Sequence, residues 1–172
     1  MSEKNLTKVR LRAMEPEDLD FLYNIENDRE LWNVGNTNVP YSRYVLHDYI
    51  ANATNDIYSD GQVRMIVENA DGRTVGMADL FDFNASHRRA ELSIVIMKGC
   101  RRCGYAEASV RYMLHYAQRI LHLNQVYAVI SEDNQPSIAL FGKCGFSKSA
   151  NLPKWLYDGE KYTDAVVMSK FF

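Results

Sequence analysis

Apolar and polar residues alternate along Val9-Arg10-Leu11-Arg12-Ala13, the period of a half-buried strand. Pro16 follows where the first turn of a helix accepts a proline, and Leu19, Leu22, Tyr23 and Ile25 recur at helical spacing as far as about Asn27. From Asp28 to Tyr41 the periodicity stops, and an Asn-rich stretch with Gly35 and Pro40 predicts a loop. Ser42 has the chemistry of an N-cap for a helix running to about Ala53. Two strands are expected next, Val63 to Glu68 and Thr74 to Phe83, joined by a turn containing Asp71-Gly72, with a third from about Arg89 to Met97. Between Ala106 and about Leu121, Val110, Met113, Leu114, Ala117, Ile120 and Leu121 fall on one helical face, whereas Glu107, Arg111, Gln118 and Arg119 point elsewhere. Such a helix packs on a sheet. A strand from Gln125 to Ile130, a helix from Pro136 to Cys144 stopped by Gly145, and a long hairpin around Asp158-Gly159 complete a mixed α/β pattern without repeats or linkers.

A chain of 172 residues fits one domain, residues 1–172, large enough to bury a core without metals or disulfides. Lys and Arg total 20 against 22 acidic residues, a net charge of −2, so the field that drives nucleic-acid binding is missing. No apolar run approaches the roughly 20 residues that span a bilayer, and Met1-Ser2-Glu3-Lys4-Asn5 has no signal-peptide character, so no membrane and a cytoplasmic location are expected. Cys100, Cys103 and Cys144 are odd in number and sparse, unlike a secreted disulfide framework. Cys100-x-x-Cys103 has the spacing of zinc and redox sites, but no second pair or nearby His cluster accompanies it, and no metal is expected.

Candidate chemistry lies after the third expected strand. Glu91-Leu92-Ser93-Ile94-Val95-Ile96-Met97 leads into Arg101-Arg102-Cys103-Gly104-Tyr105-Ala106, which opens the long helix. The first turn of a helix leaves backbone N–H groups without partners, and peptide dipoles add positive charge there. A pyrophosphate fits such a place. Gly104 lets the backbone approach, small Ala106 keeps the turn open, and Arg101 and Arg102 supply charge. About thirty residues on stands Asn134-Gln135-Pro136-Ser137-Ile138-Ala139-Leu140-Phe141-Gly142-Lys143-Cys144-Gly145-Phe146. An Arg-x-x-Gly-x-Ala turn on a helix, then a strand, then Asn-x-x-Ser-x-x-Leu-aromatic-x-Lys-x-Gly-Phe resembles the GNAT superfamily of acetyl-CoA-dependent N-acetyltransferases. His87-Arg88-Arg89-Ala90-Glu91 and Tyr157-Asp158-Gly159-Glu160-Lys161-Tyr162-Thr163-Asp164 are similar to its spermidine acetyltransferase and ribosomal-protein N-terminal acetyltransferase branch.

The resemblance implies a curved, mixed but largely antiparallel sheet flanked by helices, with a C-terminal β-hairpin and acetyl-CoA wedged where two strands diverge. It assigns the pyrophosphate to the turn Arg101, Arg102, Cys103, Gly104, Tyr105, Ala106 and Glu107. Main-chain groups of Ile94, Val95 and Ile96 would hold the pantetheine, exposed by a splayed, bulge-like strand. Asn134 would contact the pantetheine, Ser137 and Phe141 on the same helix would belong to the cofactor site, and Lys143 would approach the nucleotide end. Asn134 serves equally as a helix cap ahead of Pro136. The implied acceptor is a primary amine on a polyamine-like small molecule or a protein N-terminus, and a homo-oligomer is compatible with the chain.

An alkyl amine has a pKa near about 10.4, so at neutral pH only about one molecule in a thousand is nucleophilic. Glu91 is the candidate base, acting through water, unless it pairs with Arg88 or Arg89; His87 is a second candidate. A backbone N–H within Ile94 to Ile96 would stabilise the oxyanion. Many members of the family place a Tyr, read as proton donor to the leaving sulfur, where this chain has Phe141, which cannot donate; Tyr105 and Tyr157 are substitutes. A catalytically weak acyl-CoA-binding or regulatory protein is therefore the alternative. On the acceptor side, the polyamine branch carries acidic residues where Asn36-Thr37-Asn38-Val39-Pro40 is neutral. Asp28, Glu30, Asp79 and Asp82 offer an acidic lining, and Trp32, Trp155 and Tyr157 an aromatic wall, with core packing the other reading of Trp32.

Overall fold

Alternation at the start of the chain yields strand β1 (Val9–Arg12) in a computed structural model that describes residues 7–32, 39–54 and 56–172. A 3-10 turn at Pro16–Asp18 leads into helix α1 (Leu19–Glu26). The segment expected as loop instead holds a short helix, α2 (Arg29–Trp32), whose Glu30 N–H donates to the Asp28 carboxylate. Helix α3 (Arg43–Asn52) starts at Ser42, whose hydroxyl accepts from the Val45 N–H. A further short helix, α4 (Ile57–Asp60), was not expected; Asp56 caps it, and Gly61 ends it at φ +68°. Four-residue helices are too short to show a periodicity.

Strands β2 (Val63–Asn69), β3 (Thr74–Asn84) and β4 (Arg89–Ile96) form an antiparallel meander. Helix α5 (Tyr105–Arg119) returns the chain across the sheet to β5 (Gln125–Ser131), which pairs with β4 in parallel. Helix α6 (Gln135–Lys143) and the hairpin of β6 (Ser147–Tyr157) and β7 (Tyr162–Phe171) complete the fold. Among the described residues the sheet has seven strands in the order β1-β2-β3-β4-β5-β7-β6. The returning strand of the hairpin thus docks on β5 and leaves β6 at the edge.

Helices cover both faces of the sheet. Leu92, Val126 and the partly buried Ile94 pack with Val110, Met113 and Leu114 of α5 and Phe141 of α6, while Ile66, Met77 and Val95 pack with Leu22 of α1 and Leu46 of α3. Neighbours Ile94 and Val95 thereby serve opposite layers, as strand alternation requires. At Gly76 a Cβ would lie 2.2 Å from the Val95 carbonyl oxygen, so only glycine permits β3 to approach β4 this closely.

Candidate functional site

The two central strands separate almost as soon as they meet. Pairing between β4 and β5 is confined to Arg89 with Gln125, Ala90 with Val126 and Glu91 with Tyr127, whereas β5 continues beside β7 to Ser131. The expected splay is present, and it is a fork, with no register shift between the two strands. Its phase corrects one residue. Met97 N–H donates to the Val75 carbonyl at 2.9 Å, which places the peptide groups of Val95 on the β3 side of the ladder. Those of Leu92, Ile94 and Ile96 face the fork. Leu92, absent from the expected set, thus joins Ile94 and Ile96 and Val95 leaves it.

At the apex of the fork stands Glu91. Its carboxylate accepts the Val129 N–H at 3.2 Å, a donor that a continued parallel ladder would have given to a β4 carbonyl. Burial, offset in part by that hydrogen bond and reinforced by the charge of Asp82, pushes the Glu91 carboxyl up to about 7. A carboxyl that titrates there is suited to taking a proton at neutral pH. Arg88, one of the two partners expected for Glu91 in a surface network, instead donates its guanidinium to the His122 carbonyl. His87 lies in the exposed turn before β4, its N–H bonded to Asn84, four residues from Glu91 and on the closed side of the fork.

Beyond the open end lies the cradle. Lys98–Cys100 form a 3-10 turn, and Gly104, at φ +82°, is the N-cap of α5 with no side chain capping the helix. Ala108 N–H returns to the Gly104 carbonyl, leaving the earlier amides of the first turn for an outside acceptor. Arg102 and Cys103 are exposed, Tyr105, Ala106 and Glu107 half-buried. Arg101 turns back, its Nε donating to the Ile96 carbonyl at 3.0 Å. Glu107 is engaged by Arg111 at 2.9 Å, and Arg111 also reaches the Lys143 carbonyl, tying α5 to α6. An uncapped N-terminus of a 15-residue helix, beside a strand with outward peptide groups, fits a pyrophosphate with an amide-bearing arm.

The remaining expected residues are scattered. Asn134 caps α6 by accepting the Ser137 N–H at 3.2 Å, the alternative role considered for it. Phe141 is 3% exposed, its ring edge-to-face with Phe146 at 4.9 Å, so it sits in the core and not on the cleft wall. Asp28 caps α2, and Glu30 pairs with Lys98 at 2.5 Å, linking α2 to the turn before the cradle. Trp155 and Tyr157 are exposed on edge strand β6, with β7 between them and β5; the Tyr157 hydroxyl donates to the Gly159 carbonyl at the hairpin tip. The Trp32 side chain and Asn36 to Asn38 lie outside the described residues. Cys100, Cys103 and Cys144 are free thiols, and among the described residues no cluster of three metal-ligating side chains occurs. No helix described is long and apolar enough to cross a membrane.

Of the polar row on the α1/α3 side of the sheet, sequence reasoning named Asp79 and Asp82 as acidic lining but passed over their partners Arg64, Glu26, Ser93 and Tyr127. Arg64 bonds Asp79 at 2.7 Å and Glu26 at 2.6 Å, and Ser93, opposite Asp79, carries the row to the fork. Across the apex, the Tyr127 hydroxyl donates to Asp82. The only sequence signal for these contacts is polar residues on strand faces expected to be apolar.

Residues 8–147 match the family model described as an acetyltransferase (GNAT) domain. The chain is 27% identical to the spermidine N(1)-acetyltransferase of Vibrio cholerae, over 96% of each sequence, and 28% identical to that of Escherichia coli, over 95% of this chain and 86% of the relative. It is also similar to the crystal structure of the Vibrio cholerae spermidine N-acetyltransferase in complex with CoA and spermine, with a TM-score of 0.82, 27% identity and 95% of each chain covered.

Proposed function

Because the chain belongs to the acetyltransferase (GNAT) domain family, we propose that it transfers the acetyl group of acetyl-CoA to a primary amine of a small, polyamine-like acceptor. The observation that carries this reading is the fork itself, with Glu91 at its apex and the uncapped start of α5 at its mouth. The first-turn amides of α5 hold the pyrophosphate, Arg102 adds charge, and the outward peptide groups of Leu92 and Ile94 receive the pantetheine arm. Arg101 steadies the end of β4 through its Nε. Glu91, through water, takes a proton from the acceptor ammonium. The freed nitrogen forms its bond to the thioester carbonyl carbon, an N–H at the fork stabilises the oxyanion, the now positively charged nitrogen gives its extra proton to water, and the C–S bond breaks as the carbonyl re-forms. CoA leaves as a thiolate that takes its proton from solvent, since Phe141 has none to give. A thiol with a pKa near about 8.5 is a workable leaving group, so the absence of a Tyr at position 141 is expected to slow turnover without abolishing it.

Support for a polycation as acceptor comes from two directions. The spermidine acetyltransferase relatives span nearly the whole chain. The acceptor side of the sheet, moreover, gathers Glu91, Asp82, Asp79 and Glu26 around Arg64 and Arg89, an excess of negative charge. The test is incubation with acetyl-CoA and a panel of spermidine, spermine, putrescine and peptides with free N-termini, followed by mass spectrometry. Monoacetylated polyamine is expected. Acetylated peptide in its place would move the acceptor class, and tight CoA binding without product from any amine would make the chain a binding protein.

A further inference from the structure

One contact at the apex of the fork has no part in the reaction above. Tyr127 on β5 is the register partner of Glu91 on β4, so their side chains share a sheet face. Phe81 on β3 is the partner of Glu91 on its other side, and Asp82, the next residue, would by alternation face the opposite layer. The register is interrupted between Phe81 and Asn84, and Asp82 stands at φ +47° within that irregularity. This kink turns its carboxylate back toward the Glu91 face, where the Tyr127 hydroxyl donates to it. A side chain from β5 therefore reaches β3 over the residue on β4 between them.

We propose that Tyr127 is a positioning residue of the acceptor site: by tying its hydroxyl to Asp82 across Glu91 it holds a second carboxylate beside the first, and an incoming ammonium meets both. The inference rests on the reading of Glu91 as the base. The charged and titratable groups around Glu91 are Asp82 from β3, Tyr127 from β5 and Arg89 on its own strand. One rung further along lie Ser93 and Asp79, with Arg64 of β2 held by Glu26 of α1 and lying 5.7 Å from the ring of Tyr49 on α3. Arg64 is saturated by its two carboxylates, so the group nearest Glu91 whose position a single bond controls is Asp82. The burial of the Tyr127 hydroxyl and its bond to Asp82 both keep that phenol protonated, and hence a donor, throughout the range in which Glu91 titrates.

The experiment compares wild type, Tyr127→Phe, Asp82→Asn and Glu91→Gln by the pH dependence of kcat/KM with spermidine and by NMR titration of the Glu91 carboxyl, after thermal melting has verified each fold. With the strap cut, Asp82 swings into solvent and its repulsion of the Glu91 anion fades. The acid limb and the NMR titration then move to lower pH by about half a unit in both Tyr127→Phe and Asp82→Asn, and KM for spermidine rises. An unmoved limb and titration in both variants, while Glu91→Gln has lost the limb, would overturn the role of Tyr127 and leave the base standing. A limb that persists in Glu91→Gln would overturn both together.

Discussion

Glu91 is held where its charge is unwelcome, and that cost is measurable without any turnover. The native fold raises its carboxyl from 4.5 to about 7, chiefly by burial. The folded protein therefore binds the Glu91 proton more tightly than the unfolded chain. The resulting stability is present in full at low pH and is lost as pH rises through about 7. At 1.36 kcal/mol per unit the shift corresponds to about 3 kcal/mol, and residual solvent contact around a half-buried group reduces this to about 1.5 kcal/mol. Glu91→Gln removes the titration and keeps an oxygen to accept the Val129 N–H. Thermal denaturation near about pH 4, below the ordinary value of 4.5, should then find variant and wild type close together, whereas near about pH 8 the variant should melt about 3 to 6 °C higher. Activity runs the other way. The wild-type rate should rise about tenfold per pH unit up to 7 and then level, and the variant should stay low and flat, so their gap is widest above pH 7. Equal melting differences at both pH values would refute the claim that burial sets this carboxyl.

Two further outcomes follow from the geometry. Arg64→Met leaves Asp79 and Glu26 buried without their shared cation and should cost about 3 to 5 kcal/mol in denaturant unfolding; a loss below about 1 kcal/mol would show that the ion cluster is well solvated. Gly104→Ala places a Cβ at positive φ, 2.5 Å from the Thr7 hydroxyl, and should weaken CoA binding about tenfold in calorimetry by shifting the first-turn amides, with wild-type affinity counting against the cradle.

The strands and long helices were legible because each buries a face at a regular period, as Val110, Met113 and Leu114 do against the sheet. Ser42 was legible because a cap is local chemistry. Helices α2 and α4 were not, since four residues hold no period and their carboxylate caps resemble any polar loop. In the candidate site, the turn from Arg101 to Ala106 announced itself by residue type, yet the inward bend of Arg101 depends on where the Ile96 carbonyl points. Glu91 was nameable, but its contact with Val129, 38 residues away, is a product of strand order. Val95 was included because apolar neighbours look alike in sequence, whereas the ladder treats them alternately. The Tyr127 to Asp82 contact spans 45 residues and has no spacing signature.

Two parallel strands lying side by side with free peptide groups would ordinarily zip together. Here each end of the gap has a stopper: the Glu91 carboxylate occupies the Val129 amide at the closed end, and the Arg101 guanidinium occupies the Ile96 carbonyl at the open one. The slot consequently stays ajar by construction, and an entering thioester arm need not pry it apart or set its walls in order. Little of its binding energy is then diverted into shaping the receptor, which leaves more of it for aligning the carbonyl with the nucleophile.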